Sequence, residues 1–219
     1  MSTLFRLDSS IRTEGSVTRA VADTLETAIA DQLGSVDVVR RDVGQNPVAA
    51  DVWSASALAG FVDEAHRSPE QVAARATAAE IASEIIDADA YLFAVPLYNF
   101  GVAQQFKTWF DVAITDPRLA PGVDYPTAGR PAFLVTARGG GYGEGTPRHG
   151  WDHATGWMRR VLEDVWGLDL DVIETELTLA EVSPAMEDLR DLARQQLAES
   201  HDAARAGARS VTLKLRSAA

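Results

Sequence analysis

Residues 91–101 read YLFAVPLYNFG and join an uncharged apolar run of strand length to a proline and a loop rich in aromatic and amide side chains. A continuous apolar run is typical of a parallel β-strand that is buried on both faces. Beyond the loop, Phe106, Trp109 and Phe110 recur at helical spacing. We therefore predict a strand, a loop and a helix in this order. In open α/β sheets ligands bind just beyond the carboxyl ends of the strands, so this loop is the first candidate binding site.

Strand-like and helix-like blocks alternate along the rest of the chain. After Ser16, which stands where an N-cap belongs, apolar residues recur every fourth position from Val17 to Ile29 and indicate an amphipathic helix. The predicted strands are residues 3–8, 36–39, 90–95, 131–136 and 170–178. Parallel neighbours need crossover connections, so five strands separated by helices predict an α/β fold. We expect a flavodoxin-like three-layer sandwich, with a five-stranded parallel sheet of order 2-1-3-4-5 and helices on both faces.

In that topology, the loops that leave strands one, three and four can converge on one site at the edge of the sheet. The three loops richest in glycine, hydroxyl and amide residues are these same loops. We take this coincidence as the main sequence-based reason to predict a bound mononucleotide.

The loop after strand one, residues 9–18, supplies hydroxyl groups and a glycine immediately before a helix. Free N–H groups and the positive end of the helix dipole favour a phosphate at such a place. Ordinary N-capping by Ser16 is the alternative interpretation of the same residues.

The loops after strands three and four have features that suit a flat ring. The amide of Asn99 could bond the edge of a heteroaromatic ring, while Tyr98 or Phe100 covers its face and Pro96 fixes the backbone. In residues 137–145 the glycines would let the backbone approach a planar ligand closely. Alternatively, the aromatic side chains join the core and the glycine-rich segment is a mobile turn.

Composition limits the classes of protein to be considered. With 219 residues, 46% of them hydrophobic, the chain is long enough for one substantial core, and we expect a single domain over residues 1–219. A net charge of −12 disfavours nucleic acid as a partner. No apolar run is long enough for a transmembrane helix and no signal segment is evident, so we expect a cytoplasmic protein that does not bind membranes.

Several motifs and sites are disfavoured. The Walker A pattern is absent, as are the G-x-G-x-x-G fingerprint after strand one and the G-x-S-x-G nucleophile elbow. His149 and His153 lack an apparent third ligand, so we predict no metal site. The basic residues between 205 and 216 are interpreted as a frayed, solvated terminus, with an anion-binding tail as the alternative.

Three sequence segments together resemble a known family. They are Ser9-Ser10-Ile11 with Ser16, residues 96–100 (PLYNF) leading into residues 105–111 (QFKTWFD), and Arg138-Gly139-Gly140. In order and spacing the chain resembles the FMN-dependent NADH-azoreductases, which are homodimeric, flavodoxin-like NADH:quinone oxidoreductases.

The resemblance implies an FMN site in the three loops. Ser10, Ser16, Val17 and Thr18 would hold the phosphate, and the ring would be lined by Pro96, Leu97, Tyr98, Asn99, Phe100, Ala137, Arg138, Gly139 and Gly140. The chain departs from the family pattern at Val17 and Thr18, at Ala137, where serine is usual, and near Arg118 and Leu119, where aromatic residues are common.

The resemblance also implies a reaction. NADH would give a hydride to N5 of FMN and leave, and a quinone or azo compound would then take two electrons in a ping-pong order. A homodimer is implied as well, and Trp109, Trp151 and Trp157 could supply its interface with aromatic side chains. Two alternatives stay open: a flavodoxin-like electron carrier, and a non-catalytic flavin-binding protein. The sequence assigns no catalytic acid.

Overall fold

Five parallel strands form the central sheet of the computed structural model, which describes residues 2–218. These strands are β1 (Thr3–Asp8), β2 (Asp37–Asp42), β3 (Ala90–Ala94), β6 (Pro131–Ala137) and β7 (Asp169–Thr175). The short strands β4 (Leu97–Tyr98) and β5 (Gly101–Val102) form a separate hairpin. The order in the sheet is β2-β1-β3-β6-β7. This confirms the predicted order, because the hairpin only shifts the numbering of the last two strands.

Helices cover both faces of the sheet and confirm the three-layer architecture. On one face, α1 (Val17–Leu33) and α6 (Arg190–Ala218) pack on a cluster that includes Leu92 and Phe133. On the other face lie α2 (Ala50–Ala59), α3 (Pro69–Ile86), α4 (Gln104–Ala113) and α5 (Thr155–Arg159). The helix α5 continues as a wider π-helical turn over Arg160–Val165, and short 3-10 turns occupy Glu64–His66 and Pro184–Leu189.

The apolar strand β3 lies at the centre of the core because its side chains are buried on both faces of the sheet. Phe93 packs edge-on against Phe106 of α4, with ring centroids 6.3 Å apart. Phe5 of β1 stacks on Trp109 at 5.9 Å. The helical spacing of aromatic residues after the loop therefore serves to fill the core under β1 and β3. Trp109 is fully buried, so its expected contribution to an exposed interface is wrong.

The expectation of a frayed carboxyl end is also wrong. The helix α6 runs to Ala218, and Val211 and Leu215 are buried against the α1 face of the sheet. The basic side chains lie on the outer side of the helix, where Lys214 pairs with Asp169. No helix within residues 2–218 is long and apolar enough to cross a lipid bilayer.

Candidate functional site

The loops that follow β1, β3 and β6 enclose one cavity of about 220 Å³ at the carboxyl edge of the sheet, together with the segment that follows β7. It lies at the switch point of the strand order, where the topology places a ligand. The candidate residues that line the cavity are Ser10, Ser16, Val17, Thr18, Pro96, Leu97, Tyr98, Ala137 and Gly139.

The loop after β1 is held with its carbonyl groups turned away from the cavity. Nη2 of Arg19 donates to the carbonyl oxygen of Ser10 at 2.8 Å, and Nε of Arg19 donates to that of Arg12 at 3.0 Å. The amide of Gln45 donates to the carbonyl oxygen of Ile11 at 3.1 Å. Three successive acceptors are thus satisfied by side chains from outside the loop. This leaves N–H and hydroxyl groups for the other side of the loop, where the N–H groups of Ile11 and Arg12 donate to the hydroxyls of Tyr98 and Ser10 at 3.2 and 3.3 Å. A surface of such groups suits an anion.

The amino terminus of α1 adds donors to the same place. As the first residues of the helix, Val17 and Thr18 have N–H groups without a carbonyl partner inside the helix. Ser16 caps the helix by accepting from the N–H of Arg19, and its hydroxyl donates to Oγ of Ser10 at 2.9 Å. The capping interpretation of Ser16 is therefore right, and it does not exclude a phosphate, because the cap leaves the N–H groups of Val17 and Thr18 free.

Arg19 and Gln45 form a brace behind this loop. The brace depends on an ion pair between Arg19 and Asp42, the last residue of β2. Arg19 binds both carboxylate oxygens of Asp42 at 2.8 Å. Burial alone would raise the pKa of Asp42, but the hydrogen bonds from Arg19 and from the N–H of Gln45 outweigh it and hold the pKa below its usual value. Gly44 completes the brace, since a Cβ there would lie 2.1 Å from the carbonyl oxygen of Ser10.

The loop after β3 is a tight hairpin whose two turn residues are left-handed. Asn99 has φ 48° and Phe100 has φ 67°, as the turn between the paired residues Tyr98 and Gly101 requires. Left-handed backbone at non-glycine residues costs on the order of 1 kcal/mol each, so other contacts must hold it. One such contact is the hydrogen bond from the N–H of His153 to the carbonyl oxygen of Phe100, at 3.0 Å. The turn presents the ring of Phe100 to solvent, where 39% of the residue is exposed.

The glycine-rich loop after β6 is held from behind by the segment after β7. The N–H groups of Leu177, Thr178 and Leu179 donate to the carbonyl oxygens of Gly140, Arg138 and Gly139, at 3.0 to 3.2 Å. As in the first loop, the carbonyl groups are engaged on one side, and this leaves the N–H groups of the glycines for the other. A flat ligand edge with hydrogen-bond acceptors could bind there.

The side chain of Arg138 does not line the cavity. It is buried, and it pairs with Asp152 at 2.7 Å, with Glu176 at 3.1 Å and with Glu174. Glu176 in turn accepts from the N–H of Tyr142 at 2.9 Å. Arg138 therefore fixes the glycine-rich loop against β7, and only its backbone stands near the site.

Three other candidates also lie outside the lining of the cavity. Asn99 and Phe100 form the turn of the hairpin, and Gly140 follows the lining residue Gly139. Four lining residues were not predicted from the sequence: Arg12, Gly15, Thr178 and Leu179. Arg12 and Gly15 were within the predicted phosphate loop and could have been named from their position. Nothing in the local sequence indicated that Leu179 would reach the site from the segment after β7.

Other features of the structure offer weaker sites. Among residues 2–218, no group of three His, Asp or Glu side chains is arranged to hold a metal ion. A larger cavity, about 700 Å³, lies at the opposite edge of the sheet beside Arg130 and Lys214. Arg130 is occupied there by the carbonyl groups of Ile86 and Ala88. The smaller cavity instead has the start of α1 at its wall, where the N–H groups of Val17 and Thr18 have no carbonyl partner inside the helix.

Comparison with known proteins agrees with the fold. Residues 2–200 match the sequence model of the family Flavodoxin_2, which is described by its flavodoxin-like fold. An FMN-dependent NADH:quinone oxidoreductase of Streptomyces avermitilis is 36% identical over 212 residues, which are 96% of this chain and 97% of the relative.

Two solved structures from Bacillus anthracis share the fold. An azoreductase superposes with a TM-score of 0.75 at 19% identity, over 95% of this chain and 99% of the other. An FMN-dependent NADH-azoreductase in complex with FMN superposes with a TM-score of 0.72 at 16% identity, over 93% of this chain and 98% of the other. The resemblance noted from the three loop segments is confirmed. This chain belongs to the Flavodoxin_2 family and is a relative of its FMN-dependent NADH:quinone oxidoreductases.

Proposed function

We propose that the protein is an FMN-dependent oxidoreductase that uses NADH to reduce quinones and azo compounds. One observation carries this proposal. Two loops whose carbonyl groups are engaged away from the cavity meet the start of α1 at that cavity. The names of the quinone oxidoreductases that the chain resembles over nearly its whole length support the same activity.

The residues at the cavity fit the two parts of FMN. The loop after β1 and the N–H groups of Val17 and Thr18 would bind the phosphate, with the hydroxyls of Ser10 and Ser16 as further partners. The ring would lie between residues 96–100 and residues 137–140, where Gly139 has no side chain to obstruct it. A Cβ on Gly139 would lie 2.7 Å from Cδ1 of Leu179, so any larger residue there would push this side chain from its place in the cavity wall.

When bound, FMN would supply the redox chemistry by accepting a hydride at N5 from NADH and passing two electrons to the acceptor, in a ping-pong order. The protein's part is to bind and orient. Leu97, Ala137 and Leu179 supply apolar surface that keeps water from the ring, and the backbone N–H groups of the glycine-rich loop face its polar edge. The proposal assigns no acid side chain, and water would supply the protons.

The proposal extends to assembly and location. We propose that residues 1–219 form one domain, that two copies form a homodimer and that the protein is cytoplasmic, where NADH is available. Support for a dimer comes from α2 and the turn after it. Trp53, Leu58 and Phe61 are exposed there, and 89% of Phe61 is accessible. An apolar surface of this kind is typical of a subunit interface. The molar mass in solution, measured by light scattering, tests it.

The function is tested by absorbance of the purified protein after addition of FMN, scanned between roughly 350 and 500 nm before and after addition of NADH. The expected result is a bound flavin band that NADH bleaches and that 1,4-naphthoquinone or methyl red restores. Protein that binds no FMN would overturn the proposal. Flavin that NADH cannot bleach, but that a separate reductase reduces to a stable one-electron form, would favour the electron carrier. Flavin that no reductant bleaches would favour the non-catalytic alternative.

A further inference from the structure

Almost every basic side chain of this acidic protein has a partner. The chain has 20 Lys and Arg residues and 32 Asp and Glu residues, which gives a net charge of −12. Within residues 2–218, hydrogen bonds or ion pairs engage all of these side chains except those of Arg12, Arg148 and Arg209. Arg209 is exposed on α6, far from the site along the chain. The other two are at the loops of the candidate site, and Arg12 lines the cavity on the side proposed for the phosphate.

Arg148 lies beside the loops proposed to hold the ring. Its Cζ is 5.9 Å from the ring centroid of Phe100 and 5.8 Å from that of Tyr142. Its Nη1 is 2.8 Å from the position that a Cβ would take on Gly140, so the guanidinium lies directly against the glycine-rich loop. These contacts place the guanidinium but leave its N–H donors without acceptors.

Two exposed aromatic rings stand next to this cation. Phe100 and Trp151 pack edge to face with centroids 5.5 Å apart, and they are 39% and 52% exposed. The left-handed backbone at Phe100 holds its ring in this position. A flat aromatic molecule could pack on this pair while an anionic substituent binds Arg148.

We propose that Arg148 is a specificity-determining residue that favours planar aromatic acceptors carrying a carboxylate or sulfonate group. The inference rests on the proposed function and adds a substrate class to it. A guanidinium binds such groups with two parallel hydrogen bonds. The overall negative charge does not prevent this, because charges beyond roughly 8 Å are screened at physiological salt.

The 2′-phosphate of NADPH is a second possible source of negative charge. The position of Arg148 favours the acceptor. The nicotinamide must reach the ring, which puts the 2′-phosphate most of a dinucleotide's length away, whereas Arg148 is in contact with Gly140 and Phe100.

The test compares Arg148→Met, Arg148→Lys and the matched control Arg209→Met, which removes the same charge from an exposed, unpaired site. For each FMN-loaded variant, kcat/KM is measured with NADH for 1,4-naphthoquinone-2-sulfonate and for uncharged 1,4-naphthoquinone. The ratio of the two values cancels general effects of the variant. We expect this ratio to fall about five- to tenfold in Arg148→Met, to recover in part in Arg148→Lys and to stay at the wild-type value in Arg209→Met.

A binding measurement provides a readout that does not require turnover. The dissociation constant of anthraquinone-2-sulfonate for the oxidised protein is followed by quenching of tryptophan fluorescence. It is expected to rise by a similar factor in Arg148→Met, and added salt is expected to weaken binding to the wild type more than to this variant.

The inference is overturned if Arg148→Met leaves both the ratio and the dissociation constant unchanged, or if Arg209→Met lowers the ratio equally. It is also overturned if only the preference between NADPH and NADH changes. Failure of the proposed function gives a different result: the wild type then reduces neither quinone. In that case the fluorescence titration still decides whether Arg148 binds the sulfonate.

Discussion

Gly44→Ala tests whether the outward-turned carbonyl groups of the first loop create the phosphate site. The added Cβ would lie 2.1 Å from the carbonyl oxygen of Ser10 and 3.1 Å from Nη2 of Arg19. Both neighbours are parts of the brace, and the oxygen belongs to the backbone and has no alternative rotamer. The loop and the turn after β2 must therefore separate by about 1 Å to restore an ordinary contact.

Two effects would lower the stability of Gly44→Ala. Forcing a methyl group into a packed site costs about 1–3 kcal/mol, and weakening the charged hydrogen bond from Arg19 to Ser10 adds to it. We expect the free energy of unfolding to fall by about 2–4 kcal/mol. Displaced N–H groups would lose one or two hydrogen bonds to the phosphate, which raises the dissociation constant of FMN about 10- to 100-fold.

The assay is quenching of FMN fluorescence on binding, with urea unfolding of the same protein to measure stability. Gly34→Ala is the matched control, because Gly34 has φ 79° at the end of α1 and no atom within 4 Å of the added Cβ. It should lose about 1 kcal/mol of stability through backbone strain and keep the wild-type affinity for FMN. A dissociation constant for Gly44→Ala within twofold of the wild type would refute the reasoning.

Three further predictions follow from the site and the fold. Ser16→Asp should keep α1 intact, because aspartate is an equally good N-cap, yet should repel the phosphate and raise the dissociation constant of FMN at least tenfold; equal affinity would contradict the placement of the phosphate. Since the pKa of Asp42 is lowered in the folded protein, its pairing with Arg19 stabilises the fold above the usual pKa of 3.8 and this stabilisation is lost as the pH falls through the lower folded value. Urea unfolding of Asp42→Asn against pH should show a smaller loss in this acid range than the wild type does, and parallel curves would contradict the role of the pair. Leu215→Ala should lower the free energy of unfolding by about 2–3 kcal/mol if α6 is packed to its end, whereas a frayed end would show almost no change.

Local sequence was enough to predict the sheet and most of the cavity. The apolar run of β3, the Ser16 cap and the glycines after β6 are signals carried by neighbouring residues, and the strand order then brings their loops together. Even so, the hairpin at Asn99 and Phe100 was not predicted, because turns with two left-handed residues are expected at Asn-Gly rather than Asn-Phe.

Long-range contacts account for what the sequence analysis missed. Arg138 was assigned to the ring because of its position in the segment, but its side chain pairs with Glu174 and Glu176, which are distant along the chain. The end of α6 was misread for a related reason. Its basic side chains suggested a solvated tail, while Val211 and Leu215, four positions apart, pack on a face that exists only once the sheet has formed.

The outward-turned carbonyl groups of the first loop also determine which positions near the cavity should tolerate a change of side chain. A cradle made of main-chain N–H groups places few demands on the side chains at its rim, so the apolar side chain of Val17 can stand at the start of α1 without loss of a phosphate donor. The shape of the loop depends instead on Arg19, Gly44 and Gln45, which do not line the cavity but hold the loop in place. The side chains that matter most to this site therefore lie behind it, one layer away from the surface that meets the ligand.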